Sequence, residues 1–230
     1  MNVEDRFGTD ALEKRRWIEE DSPWKAQKID QILSENEITP SSVGEIGCGT
    51  GGVLHNLSNF YDKSVKFYGY ETYPEAYNAC LTKEQDNVHF FSKDLLKEDV
   101  YFDVVMAINV FTHVRDYLGF LSELRKKGEY KVFHVPLQVT VMSTLRSRYF
   151  QNKPDMQTHL HHFNKDTALG TLKATGYEIV DYFYTSGYLD LPDRARWSNL
   201  WNIPVKLLYA INKDLAARVF GGFSLMVLTK

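Results

Sequence analysis

The chain has 230 residues, 43% of them apolar and 25% charged, with a formal net charge of −3 and two cysteines. That composition is globular and excludes a disordered segment, a collagen-like repeat and a disulfide-stapled miniprotein. The slight acidity argues against a chain that holds nucleic acid by bulk charge, and no apolar run reaches the ~18 residues of a membrane span.

The polar start, Met1-Asn2-Val3-Glu4-Asp5-Arg6, predicts no secretory leader. Residues 10–35 read as helical, with Leu12, Ile18, Ile29, Ile32 and Leu33 as apolar positions and Trp17 and Trp24 as anchors. Ser22-Pro23 signals a helix start, with Ser22 as the cap and Pro23 in the first helical position. Strands are expected at 43–46, 65–70, 88–91, 102–108 and 130–135, the last stopped by Pro136. Helices are expected after Gly52, at 74–81 and at 116–126. Strands separated by helices five times over imply an α/β fold, a doubly wound parallel sheet of Rossmann-like type. The rhythm then changes. Residues 137–163 look irregular, followed by helix 166–174, strand 177–184, one long helix 204–219 and a last strand 223–228. Cys48 falls in a glycine-rich turn and Cys80 in a helix, with no Cys/His spacing for zinc or another metal, so a reduced, cytoplasmic protein is expected.

Gly47, Gly49 and Gly52 match G-x-G-x-x-G directly after a strand and before a helix. Nicotinamide-binding and sulfonium-binding enzymes share that pattern, so the surrounding charge discriminates. A pyrophosphate wants N–H donors and no acid nearby. Here Glu45 stands two residues before Gly47, Glu71 closes the second strand and Asp94 follows the third. Acids at three successive strand ends suit a cationic ligand without phosphate. Glu71 is placed to take both ribose hydroxyls, and Asp94 to meet an adenine amino group.

Glu45-Ile46-Gly47-Cys48-Gly49-Thr50-Gly51 resembles motif I of class I S-adenosylmethionine-dependent methyltransferases. Glu71 is similar to their ribose-binding acid, and Ser92-Lys93-Asp94-Leu95 resembles their adenine-side motif. The segment from Phe102-Asp103-Val104-Val105 to Val110-Phe111-Thr112-His113-Val114-Arg115-Asp116 resembles their motif IV strand and loop. In that branch the loop reads E-H-V-x-D, so Thr112 replaces a glutamate. The resemblance covers roughly residues 22–230. It implies S-adenosylmethionine as cofactor and a seven-stranded sheet of order 3-2-1-4-5-7-6 with the seventh strand antiparallel. It also implies cofactor contacts from Glu45, Gly47, Cys48, Gly49, Gly51, Glu71, Asp94, Leu95 and Asn109. Residues 1–40 are then a helical lid, and 41–230 the cofactor-binding domain with an acceptor-side insert at 137–163.

Reacting groups in such a sheet lie outside the strand C-termini, which directs attention to residues 109–115 and 134–138. His159-Leu160-His161-His162-Phe163 resembles an H-x-H-x-F stretch of relatives found beside polysaccharide genes. His113, His159 and His161 are the candidate bases for a hydroxyl acceptor. Gln138, Arg146, Arg148, Tyr149 and Trp24 are the candidate acceptor contacts, the arginines as clamps for a phosphate or carboxylate. The expected activity is O-methylation of a small molecule, a sugar or natural-product intermediate, by a monomer or homodimer. Three other readings stand beside it. Thr112 and Gln138 depart from acidic residues of the relatives, which suits cyclisation of the cofactor to azetidine-2-carboxylic acid and methylthioadenosine. Tyr149 and Lys153 have the Y-x-x-x-K spacing of short-chain dehydrogenases, although Pro154 disfavours a helix there. A cofactor sensor without turnover is the third.

Overall fold

A computed structural model describes residues 20–146, 150, 159–191 and 199–230. The expectations for Leu12, Trp17, Ile18, Arg148, Tyr149 and Lys153 lie outside the described residues. Strands β1 (Ser42–Ile46), β2 (Lys66–Tyr70), β3 (Val88–Phe91), β4 (Phe102–Ile108), β5 (Gly128–Leu137), β6 (Ile179–Thr185) and β7 (Phe223–Thr229) form one sheet. Its order is β3-β2-β1-β4-β5-β7-β6. β1 runs parallel to β2 and β4, β2 parallel to β3, and β6 antiparallel to β7. This is the Rossmann-like order that the resemblance implies.

The described residues group into two compact units, one of residues up to 110 with 123–132, the other of 111–122 with 133–230. The first holds β1 to β4 with α1 (Ser22–Glu35), α2 (Gly52–Ser58) and α3 (Pro74–Cys80). Ala26, Ile29, Ile32 and Leu33 recur at helical spacing on α1 and are buried, as is Trp24. Each large apolar side chain removed from water there stabilises the unit by about 1.5–3 kcal/mol. Helix α1 packs on α2, and Gly52 lets it approach: a Cβ there would stand 2.5 Å from Ser22 Oγ. The helix start differs from expectation by one residue. Asp21 occupies the cap position, Ser22 is already helical, and Pro23 follows inside the first turn, where no N–H is needed. On β4, Val104 through Ile108 are all buried, as in a strand covered on both faces.

The second unit holds all but the last two residues of α4 (Tyr117–Leu124), with α5 (Val141–Leu145), α6 (Lys165–Ala174), α7 (Gly187–Asp190), α8 (Asn199–Ile211), α9 (Lys213–Val219) and the antiparallel pair β6–β7. Thr140 and Asn164 each form a reciprocal capping box at the start of α5 and α6. Three expectations are corrected here. Pro136 does not stop β5, which runs on to Leu137; a proline removes only its own N–H, and it stands next to the strand's end. The stretch 137–163 is not wholly irregular, since it contains α5. The long last helix is two helices, because Asn212 leaves helical geometry at φ −150° and its side chain accepts from Leu215 N to start α9. The apolar stripe of those helices is also not covered among the described residues: Leu207 is 59% and Ile211 81% exposed. No described helix is long and apolar enough to cross a membrane.

Candidate functional site

The glycine loop leaves β1 and enters α2. Gly47 and Cys48 donate their N–H groups to Tyr70 O at 2.8 and 3.2 Å, and Gly51 N closes a turn onto Cys48 O at 2.9 Å. Gly47, Gly49 and Gly51 all have positive φ, at 64°, 58° and 77°. Two of them do different jobs. At Gly51 a Cβ would stand 2.6 Å from Phe90 Cζ, so the loop is seated on the β3 aromatic ring. At Gly49 a Cβ would meet nothing within 4 Å among the described residues, which leave the loop open on that side with bare backbone presented. Alanine at Gly51 should lower the melting temperature by roughly 5–10 °C, from left-handed strain plus overpacking of 1–3 kcal/mol. Alanine at Gly49 should cost only about 1 kcal/mol yet weaken cofactor binding at least about tenfold. Melting curves and calorimetry on the two variants separate these effects.

The three acids occupy different environments. Glu71 holds the loop: its Oε2 accepts from Gly49 N at 2.9 Å and its Oε1 from Tyr73 N at 2.8 Å. Asp94 Oδ1 caps the turn Leu95–Lys97 by accepting from Leu96 N at 3.1 Å, and Lys97 Nζ lies 3.7 Å from Oδ2. Leu95 beneath it is fully buried. Glu45 is not at a strand end but inside β1, with Gly69 and Met106 as its register partners on either side. It is buried, its Oε2 has no hydrogen-bond partner among the described residues, and burial pushes its pKa up to about 8 against the opposing pull of Lys25. The sequence reads Glu45 as a charge; the structure gives a carboxyl that is mainly protonated at neutral pH. Asn109 follows β4 at φ 61°, a left-handed conformation that asparagine tolerates better than most residues.

Cys48 and Cys80, unconnected in the sequence reading, lie side by side as free thiols with sulfurs 3.9 Å apart. The Cys80 thiol donates to Gly49 O at 3.0 Å. Contact with Cys80, then burial, holds the Cys48 thiol well above the usual range. The pairing needs the β1 and β2 registers, which no local spacing encodes.

The acceptor-side candidates of the second unit form an interleaved histidine cluster. His113 ends a short turn, Phe111–His113, and its ring lies 4.3 Å from that of His159. The His161 ring lies 4.3 Å from Tyr117, and its Nε2 donates to Val114 O at 2.9 Å. The segment is pinned by Leu160 N and His161 N, both donating to Thr112 O. Thr112 is buried, and its Oγ1 has no partner among the described residues. Gln138 is buried at the end of β5, with its Oε1 2.6 Å from His162 Nδ1. Arg146 follows α5 and is exposed, while Trp24 packs in the first unit at 8% exposure. Gln138 is an expected acceptor contact, whereas His162 is not among the expected bases.

A family profile described as a methyltransferase domain matches residues 18–182. The chain belongs to the class I S-adenosylmethionine-dependent methyltransferases. No curated protein sequence matches it. Among solved structures it is similar to magnesium protoporphyrin IX methyltransferase of Synechocystis PCC 6803 with bound S-adenosylhomocysteine. That match has 13% identity over 98% of this chain and 97% of the other, with a TM-score of 0.66. The plantazolicin methyltransferase BpumL, in complex with the same product, is 14% identical over 99% and 93% with a TM-score of 0.62. A Thermotoga maritima S-adenosylmethionine-dependent methyltransferase is 14% identical over 98% and 99% with a TM-score of 0.63.

S-adenosylmethionine supplies a class I methyltransferase with an electrophilic methyl group on a sulfonium. The first unit's residues fit that group. Among the described residues Gly49 leaves an open cradle, Glu71 keeps lone pairs beyond its two backbone bonds, and Glu45 offers an unpartnered buried oxygen. Among the described residues no His/Cys/Asp/Glu group is placed to hold a metal ion. Membership of this family displaces the dehydrogenase reading.

Proposed function

We propose that this methyltransferase O-methylates a hydroxyl of a small molecule, a sugar or natural-product intermediate. The observation that carries the reading is the histidine cluster on the β4–α4 loop and the 159–163 segment; the first unit, taken by itself, offers a glycine cradle suited in sequence and shape to a sulfonium nucleoside. Histidine is the side chain whose unperturbed pKa suits accepting a hydroxyl proton near neutrality. Glu45, Gly47, Cys48, Gly49, Gly51, Glu71, Asp94, Leu95 and Asn109 are the proposed cofactor contacts, and Gln138 and Arg146 the proposed acceptor contacts. The product-bound neighbours, one of them acting in plantazolicin methylation, support a small acceptor.

The test is incubation with methyl-tritiated cofactor and a panel of methyl glycosides and phenols, followed by mass spectrometry. Transfer of label to oxygen, with S-adenosylhomocysteine as co-product, is expected. Methylthioadenosine released in the absence of any acceptor overturns it in favour of cyclisation, and binding without turnover of any acceptor in favour of a sensor.

A further inference from the structure

Gln138 and His162 are 24 positions apart and meet through the backbone. Leu137 forms a parallel bridge with Phe163, and both Gln138 N and Val139 N donate to Phe163 O, at 2.9 and 3.1 Å. Phe163 is itself buried, edge-on against Phe111 and Tyr117. This clamp fixes His162 just beyond the carboxyl end of β5, the end of a doubly wound sheet where ligands bind. An amide oxygen can only accept, so the 2.6 Å contact with Gln138 Oε1 makes His162 Nδ1 the donor. The remaining lone pair is then on Nε2, on the side of the ring away from Cβ, and the residue is only half-buried. Phe150, with its ring centroid 4.6 Å away, restricts the ring plane. His161 has the opposite arrangement: it commits its Nε2–H to Val114 O, leaving its lone pair on Nδ1.

From this geometry we infer that His162 is the catalytic base for the hydroxyl acceptor, with Gln138 as the positioning residue that sets its tautomer. The inference rests on the O-methylation reading. His162 Nε2 takes the acceptor's hydroxyl proton as the oxygen–methyl bond forms and the methyl–sulfur bond breaks, the electron pair of that bond staying on sulfur. His162 ends as imidazolium, still donating from Nδ1 to Gln138, and returns its proton to solvent. Burial, and secondarily the neighbouring His161, hold its pKa below the ordinary 6.5, so the ring is neutral and competent at pH 7. The Gln138 and Phe150 side chains that contact the ring carry no charge.

The test begins with a readout independent of acceptor. In the 15N-histidine-labelled full chain with S-adenosylhomocysteine bound, long-range proton–nitrogen spectra should show His162 as the Nδ1–H tautomer, titrating below pH 6.5. An Nε2–H tautomer, or a midpoint above 6.5, overturns the assignment. With an acceptor taken from the glycoside and phenol panel, His162→Ala should slow kcat by ~100-fold or more at unchanged S-adenosylhomocysteine affinity. Gln138→Glu should move the acid limb of the pH profile upward, since a carboxylate stabilises the imidazolium. A His162→Ala variant within threefold of the parent, or a Gln138→Glu profile that does not move, overturns it. Loss of product binding in the parent protein itself counts instead against the cofactor reading.

Discussion

Replacing Glu71 by alanine is expected to weaken S-adenosylhomocysteine binding about a hundredfold and to lower the melting temperature by only a few degrees, roughly 2–6 °C. The carboxylate has about four acceptor directions. Two are taken by Gly49 N and Tyr73 N, which leaves two for the ribose hydroxyls. A hydrogen bond to a charged acceptor contributes about 1.5–3 kcal/mol, and two of them lost together correspond to a hundredfold or more in affinity. The same substitution frees the Gly49 peptide that forms the open side of the cradle. Glu71→Gln should be nearly as weak, because its amide NH2 must face either the Gly49 or the Tyr73 N–H, donor against donor. Isothermal titration calorimetry on the three proteins decides the point. Unchanged affinity in Glu71→Ala restricts Glu71 to bracing the loop.

The parts of this molecule that were legible in its sequence are those set by neighbours along the chain. β3 and β4 were placed to the residue because mainly apolar runs, interrupted only by His89 and Asp103 and bounded by turn residues, leave few alternatives. The glycine loop was legible because its left-handed positions demand glycine wherever the chain goes next. Errors appear where tertiary context outweighs local signal. Pro136 reads as a stop, yet the strand continues one residue because Leu137 finds Phe163 to pair with. Residues 204–219 read as one amphipathic helix, yet Asn212 caps a new helix in the middle, and the apolar positions on either side are exposed. The place of Glu71 directly after β2 was legible from its distance beyond the loop, and its bond to Gly49 N was not. The state of Glu45 was not, because its burial comes from strands on both sides. The contact of Gln138 with His162 was not legible either, since it depends on a clamp closed by Phe163.

Glu45 leads to the second large effect, a stability that depends on pH in an unusual direction. Its ordinary value is 4.5 and burial raises it to about 8, with Cys80 and Glu71 adding to the rise and Lys25 opposing it. In the unfolded chain Glu45 loses its proton above about pH 4.5, whereas in the fold it keeps it until about pH 8. The stability this group contributes is therefore fully present below pH 4.5 and is lost progressively as pH rises to 8, after which the loss is constant. Over that window the loss is on the order of a few kcal/mol, given 1.36 kcal/mol for each unit of separation. Glutamine has the same shape and no proton to keep. The stability of Glu45→Gln relative to the parent should thus climb between pH 5 and 8 and level off beyond. Urea denaturation of the ligand-free proteins at pH 5, 6, 7, 8 and 9 measures that climb. Its slope is the discriminating quantity, because a lost or gained hydrogen bond would shift all five points equally. A difference that stays flat across the series means Glu45 is ionised in the fold, in which case the carboxylate meets the sulfonium nucleoside as a charge and not as a neutral acceptor.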